Sequence, residues 1–175
     1  LVVNDPGVDE SGEGQDAKVA DQVVSEIKEA GGDAVAVYDP VGTWEAGQNL
    51  AQAALDYFGR IDVLVNNAGI LRDRILFKMS NEEWDGVVKT HLYGSFYCTR
   101  AVAPHFREQK SGRLIHFTST AGLVGNIGQA NYSAAKLGIV GLSRSAALDL
   151  ARYNVTSNCI APFAWTRLIA TIPTD

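Results

Sequence analysis

The sequence predicts an α/β fold, a doubly wound parallel sheet with helices on both faces. Three observations point to it. Apolar runs of strand length alternate with longer stretches of helical period. The strand runs are close to continuously apolar, as strands buried on both faces are. Small and polar residues (Asp5, Asn66-Asn67-Ala68-Gly69, Ser119, and Pro162 to Thr166) fall directly after those runs, where open parallel sheets bind their ligands. Regular strand–helix alternation needs parallel strands joined by crossover helices. A length of 175 residues fits one domain, 1–175.

Leu1-Val2-Val3 reads as a strand ending at Asn4-Asp5, followed by a polar, glycine-bearing loop from Pro6 to Gln15. From Asp16 to Ala30, Val19, Val23, Val24 and Ile27 recur on one helical face. Gly31-Gly32 ends that helix, because glycine accepts the left-handed conformation at a C-terminus. Ala34 to Tyr38 is a second strand. Thr43 supplies an N-cap for a helix to about Tyr57, with Leu50, Ala54 and Tyr57 inward. Ile61 to Val65 is a third strand, too uniformly apolar to have a wet face. Ser80-Asn81-Glu82-Glu83 forms a capping box, and a long helix should follow to about Gln109. Arg113 to Thr118 is a fourth strand, Asn131 to Tyr153 a second long helix, and Val155 to Ile160 a fifth strand.

Bulk composition narrows the function. A hydrophobic content of 46% describes an ordinary globular core. The net charge of -5 gives no basis for nucleic acid as a partner. No apolar run approaches the ~20 residues that span a bilayer, and Leu1-Val2-Val3-Asn4-Asp5 has no basic flank of a secretory signal. Cys98 and Cys159 are far apart with no nearby ligand partners, so they read as buried free thiols in a reducing compartment, and no metal is expected. The chain opens without Met inside an apolar run and stops at Ile172-Pro173-Thr174-Asp175 with no closing helix, so both ends are expected to be incomplete.

Tyr132 and Lys136 stand four residues apart and share a helix face. A free tyrosine, with a pKa near ~10, is a poor base at pH 7. A neighbouring cation favours the phenolate, and an oxidised nicotinamide would add to the effect, making the tyrosine a general base for an alcohol proton. Two residues on an amphipathic helix would give the same spacing by chance. The context decides against chance. Ser119 ends a strand thirteen residues earlier, where its hydroxyl would bond the substrate oxygen. The small residues Asn66-Asn67-Ala68-Gly69 let a flat cofactor approach the backbone.

With those motifs in this order, and Pro162 and Thr166 after the last strand, the sequence resembles the short-chain dehydrogenase/reductase family along essentially its whole length. The resemblance implies a Rossmann-type sheet, here lacking its first strand and its C-terminal lid. It implies Tyr132 as acid/base, Ser119 orienting the carbonyl, Lys136 on the nicotinamide ribose, and Thr166 on the carboxamide. Asn67, Ala68, Gly69, Pro162 and Val41 would line the cofactor. A closer resemblance lies with the (3R)-hydroxyacyl-CoA dehydrogenase domains of peroxisomal multifunctional enzymes and their single-domain bacterial relatives. Val3-Asn4-Asp5, Ile70-Leu71-Arg72-Asp73-Arg74, His91 to Phe96, and Gly128 to Gly138 carry it. The family usually has Asn in a water-linked proton relay where His91 falls, so His91 is either a relay member or a buried, hydrogen-bonded helix residue.

Other departures follow. The usual Pro-Gly is Pro162-Phe163, and the adenine-contacting Asp is replaced near Asp39-Pro40-Val41, leaving a backbone role for Val41. The glycine-rich phosphate loop belongs well upstream of Asp5 and is not in this chain. Gly12-Glu13-Gly14-Gln15-Asp16-Ala17 imitates it, but Glu13 and Asp16 would put negative charge where a pyrophosphate sits.

By the same resemblance Asp5 would accept the adenosine ribose diol and repel a 2'-phosphate, unless it only caps a turn. No Arg or Lys occurs between Leu1 and Ala17, so NAD is expected over NADP. The expected function is hydride transfer between the cofactor and a secondary alcohol or ketone, such as a (3R)-hydroxyacyl thioester. An NADPH-dependent 3-oxoacyl carrier-protein reductase and a non-catalytic NAD-binding regulator are the alternatives. The setting would be cytoplasmic, or peroxisomal within a eukaryotic multifunctional enzyme. Phe96, Tyr97, Val102, Leu142, Leu148 and Leu150 on the two long helices suggest a homodimer or homotetramer.

Overall fold

Strands and helices alternate as the periodicity requires. The structure is a computed structural model that describes residues 1–163. In chain order its regular elements are β1 (Val2–Asn4), α1 (Lys18–Glu29), β2 (Val35–Val37), α2 (Trp44–Phe58), β3 (Val63–Asn66), α3 (Asn81–Val88), α4 (Gly94–Gln109), β4 (Gly112–Phe117), α5 (Thr120–Val124), α6 (Ala130–Leu150) and β5 (Val155–Ile160). The expected caps are made. Thr43 accepts the Ala46 N–H at the start of α2. Ser80 and Glu83 form the reciprocal capping box of α3, and Gly31, at φ +84°, ends α1.

The strands are all parallel but form two sheets rather than one. β1 pairs with β2, Val3 opposite Ala36. β4 lies between β3 and β5, with Leu114 opposite Leu64 and Ser157. Among the described residues no strand lies between β1 and β3. Val2 and Asn4 of β1 and Val63 to Asn66 of β3 instead line one cavity of about 1170 Å³. The strands therefore form two parallel sheets that flank this cavity.

The core lies between β3–β4–β5 and the layer of α2, α4 and α6. Leu114, Phe106, Val102, Leu150 and Val155 are buried together there, and each large apolar side chain contributes roughly 1.5–3 kcal/mol. Two close approaches set the spacing. A Cβ on Gly112 would lie 2.3 Å from the Phe106 ring, and one on Gly47 would lie 2.9 Å from the Tyr97 carbonyl of α4. The small face Ala46, Gly47 and Ala51 lets α2 sit tightly on α4.

Several expectations about faces are corrected. α1 turns Ala20 and Val24 inward and leaves Val19 and Val23 exposed. Tyr57 is exposed on α2. Val63 and Val65 are 50% exposed, where β3 lines the cavity between the two sheets. Cys159 is exposed, and only Cys98 is buried. The helix expected from Ser80 to Gln109 is interrupted by a π-helical turn at Lys89–Tyr93. A 3-10 turn at Leu76–Lys78 and the short α5 had no expected counterpart. Among the described residues no helix is long and apolar enough to cross a membrane.

Candidate active site

Beyond β3 the chain runs through Asn67-Ala68-Gly69 directly over the π-helical turn. That turn buries His91 almost completely, and π-turns within helices often mark functional positions. A Cβ on Gly69 would meet His91 Cε1 at 2.4 Å, so glycine is required there. His91 Nε2 lies 2.8 Å from the Ile70 carbonyl and 3.1 Å from the Ile70 N–H. One ring nitrogen serves only one of these. Donation to the closer carbonyl leaves Nδ1 as a bare lone pair, and Nδ1 is buried without a partner. Burial, and secondarily the Lys136 cation, pushes His91 down to about 3. It is neutral at pH 7.

Tyr132 stands against that imidazole. The two rings meet edge to face at 5.1 Å between centroids. Tyr132 lies in the first turn of α6, where its N–H is accepted by Asn131 Oδ1 at 2.7 Å. Lys136, one turn on, is buried and donates to the Phe117 carbonyl at 2.6 Å, at the end of β4. Its Nζ is 5.5 Å from the centre of the Tyr132 ring, and burial pushes it down to about 8. Ser119 caps the start of α5, where its Oγ accepts the Ala121 N–H at 3.2 Å, and its hydroxyl favours the ionised form of the Tyr132 phenol. The structure therefore brings Ser119, Tyr132, Lys136 and His91 together, as the sequence suggests.

The electrostatics differ from expectation in one respect. Tyr132 stands above the ordinary phenol value, not below it. Burial is the main cause, opposed by the Ser119 hydroxyl and reinforced by the Asp73 carboxylate. A desolvated phenolate is costly, and Lys136 is engaged by the Phe117 carbonyl.

The expected cofactor residues also converge. Asp5, Val41, Asn67, Ala68 and Gly69 all line the cavity between the sheets. Asp5 Oδ1 accepts the Gly7 N–H at 2.7 Å, so it does cap a turn, at the wall of that cavity. Pro162 is exposed just beyond β5. Thr166 lies outside the described residues. Glu13 of the glycine-bearing decoy pairs with Arg72 at 2.8 Å.

A family model described as short chain dehydrogenase matches residues 13–168. The chain belongs to the short-chain dehydrogenase family. It is 52% identical over 168 residues to a short-chain type dehydrogenase/reductase of Mycobacterium tuberculosis, covering 96% of this chain and 59% of the relative. It is 51% identical over 172 residues to the peroxisomal multifunctional enzyme type 2 of Mus musculus, covering 98% of this chain and 23% of that protein. The crystal structure of a short chain dehydrogenase from Mycobacterium avium superposes with a TM-score of 0.84 at 46% identity, covering 92% of this chain and 59% of the other. The chain thus spans less than two thirds of the length of each of these relatives.

A short-chain dehydrogenase binds a nicotinamide cofactor, and the residues present fit one. A carboxylate at the end of one parallel strand and a small-residue turn at the end of another share one cavity, the arrangement that open α/β sheets use for dinucleotides.

Sequence reasoning left Arg72, Asp73, Gln129 and Asn131 without roles. Gln129 donates to Asp73 at 2.8 Å, and the buried Asn131 donates to the Arg72 and Glu83 carbonyls, each at 3.0 Å. Their presence in the motifs was the only available signal, because these contacts join segments 48 to 59 residues apart.

A second buried histidine gives a pH test. His116 Nδ1 accepts from Asn66 Nδ2 at 3.1 Å, its Nε2 has no partner, and burial pushes it down to about 4. Below pH 6.5 the unfolded chain protonates both histidines while the folded chain resists. Stability therefore falls as pH drops toward 4, by about 1.4 kcal/mol per pH unit for each histidine. Urea unfolding at pH 7 and pH 5 should show a smaller acid loss in His116→Gln than in the parent. Parallel losses would sink the neutral-histidine assignment.

Proposed function

We propose that the protein transfers a hydride between a nicotinamide cofactor and a secondary alcohol or its ketone. The observation that carries this reading is Tyr132 set edge to face against the buried His91 at 5.1 Å, with the buried Lys136 one helical turn on and its Nζ 5.5 Å from the same ring. A bound nicotinamide would accept the hydride in alcohol oxidation or donate it in ketone reduction and, when oxidised, would add a positive charge to the site. The chain does the rest. Ser119 holds the substrate oxygen beside Tyr132, which as the phenolate takes the alcohol proton in oxidation and as the neutral phenol gives its own proton to the ketone oxygen in reduction. Lys136, held by the Phe117 carbonyl, keeps a positive charge near the site at neutral pH. His91 braces the tyrosine through ring contact. Its depression to about 3 favours a positioning role over direct proton exchange.

The substrate that best fits the resemblance is a (3R)-hydroxyacyl thioester. A 3-oxoacyl carrier-protein reductase would use the same residues in reverse, with NADPH. Asp5 favours NAD, because its carboxylate stands at the cavity wall and no Arg or Lys lies between Leu1 and Ala17. Asp5→Ala should shrink the NAD-to-NADP ratio in kcat/KM. An unsubstituted enzyme that already prefers NADP would refute the NAD assignment. A non-catalytic NAD-binding role is disfavoured by the assembled catalytic residues, and turnover of the full-length protein decides it. The setting is cytoplasmic, or peroxisomal within a multifunctional enzyme.

We also assign homodimer or homotetramer formation to the outer faces of α4 and α6. Phe96 and Leu148 are exposed there, Leu148 at 81%. Val102 and Leu150, read from sequence as interface residues, belong to the core instead.

A further inference from the structure

The loop 6–16 between β1 and α1 is braced by one carboxylate. Asp9 Oδ1 accepts the N–H groups of Ser11 and Glu13, both at 2.9 Å, and the Ser11 hydroxyl at 2.7 Å. These bonds hold the Asp9 carboxyl below the ordinary value. The loop therefore behaves as a shaped unit rather than a slack connection.

That unit is seated on the segment after Gly69. The Leu71 N–H donates to the Glu10 carbonyl at 2.7 Å. Arg72 Nε donates to the Ser11 carbonyl at 2.7 Å, and Nη2 pairs with Glu13 at 2.8 Å. Gly12 lies at φ +88°, where a Cβ would fall 2.9 Å from Ile70 Cδ1. The guanidinium in turn rests on α3, where a Cβ on Gly86 would approach Nη1 to 3.0 Å. The Glu13 pair contributes little, because Glu13 is mostly exposed. The partly buried, charge-assisted bond to the Ser11 carbonyl is the stronger contact.

The other side of the same short segment holds the tyrosine. The Ile70 backbone binds His91, whose ring edges against Tyr132. The Arg72 carbonyl binds Asn131, whose Oδ1 accepts the Tyr132 N–H. His91, which flanks the ring, and Asn131, which holds the Tyr132 backbone, are thus both fastened to residues 70–72. Those residues carry the loop whose root, Asp5, stands in the cofactor cavity.

We propose that Arg72 is a positioning residue that ties loop 6–16 to the start of α6, so that the seat of this loop sets the seat of Tyr132. The proposal rests on Tyr132 being the base. The groups that face the phenol are Ser119, Asp73, Lys136 and the neutral His91. A loosened α6 start draws the phenol away from the Ser119 hydroxyl, which favours its ionised form, and leaves burial to raise its pKa.

The experiment compares Arg72→Ala, Arg72→Lys and Tyr132→Phe in the full-length protein, with NAD and a simple secondary alcohol. Melting temperature serves as the fold check. Arg72→Ala should lower kcat about fivefold to tenfold, and the acidic limb of the kcat–pH profile should move to higher pH. Arg72→Lys keeps the charge but loses the fork, and it should fall between parent and Ala. If Arg72→Ala does not fold, Arg72→Lys alone decides. A kcat within twofold of the parent in the folded variant, or a loss with an unmoved limb, overturns the proposal. Full activity in Tyr132→Phe would overturn the reading of the site itself, whereas an inactive Tyr132→Phe beside an unaffected Arg72→Ala would overturn only the role of Arg72.

Discussion

Tyr132→Phe is expected to lower kcat/KM by roughly 10²–10⁴ while leaving the protein folded. The substitution removes one oxygen and keeps the ring, so the edge contact with His91 survives. It also removes a phenol that burial holds above its ordinary value, which relieves desolvation. Stability should therefore hold or rise slightly as activity collapses. Steady-state kinetics paired with thermal unfolding check both halves. Activity within threefold of the parent would remove Tyr132 from its role.

Lys136→Met should cost about 10²-fold in kcat and shift the pH profile alkaline. Methionine keeps an apolar stem of similar length but cannot donate to the Phe117 carbonyl. A buried carbonyl that loses its partner costs about 1–3 kcal/mol. Against this, the parent lysine is itself strained by burial, which pushes it down to about 8. The unfolded chain holds that proton up to about 10.4. Between pH 8 and that value the folded parent binds fewer protons than the unfolded chain, so this residue makes stability rise with pH. The rise should vanish in Lys136→Met, measured by denaturant unfolding across the same window. An unchanged kcat, or an unchanged alkaline stability curve, would contradict the assignment.

Much of this site was legible because its chemistry is local. Tyr132 and Lys136 share a face through helix geometry alone. Ser119 is placed by the end of β4, and Asn67-Ala68-Gly69 by the end of β3. What was not legible depends on distant partners. Phe117 capturing Lys136, burial raising Tyr132, and Arg72 bridging loop 6–16 to Asn131 are tertiary facts. The fold shows the same division. Helix caps at Thr43 and Ser80 follow from a few adjacent residues. The half-exposed Val63 and Val65 do not, because an apolar strand predicts cover on both faces without saying which elements provide it. Val102 and Leu150 were ambiguous for the same reason, since periodicity marks an apolar face but does not choose its partner.

Loop 6–16 also decides how the two sheets are joined. A two-stranded ribbon is marginal in water without further packing, and α1 and α2 supply that packing for β1 and β2. The Leu71 N–H and the Arg72 guanidinium fasten the loop that leaves this ribbon to the segment that leaves β3. That segment also holds His91 and Asn131, so the wall of the cavity at Asp5 and the first turn of α6 share one anchor.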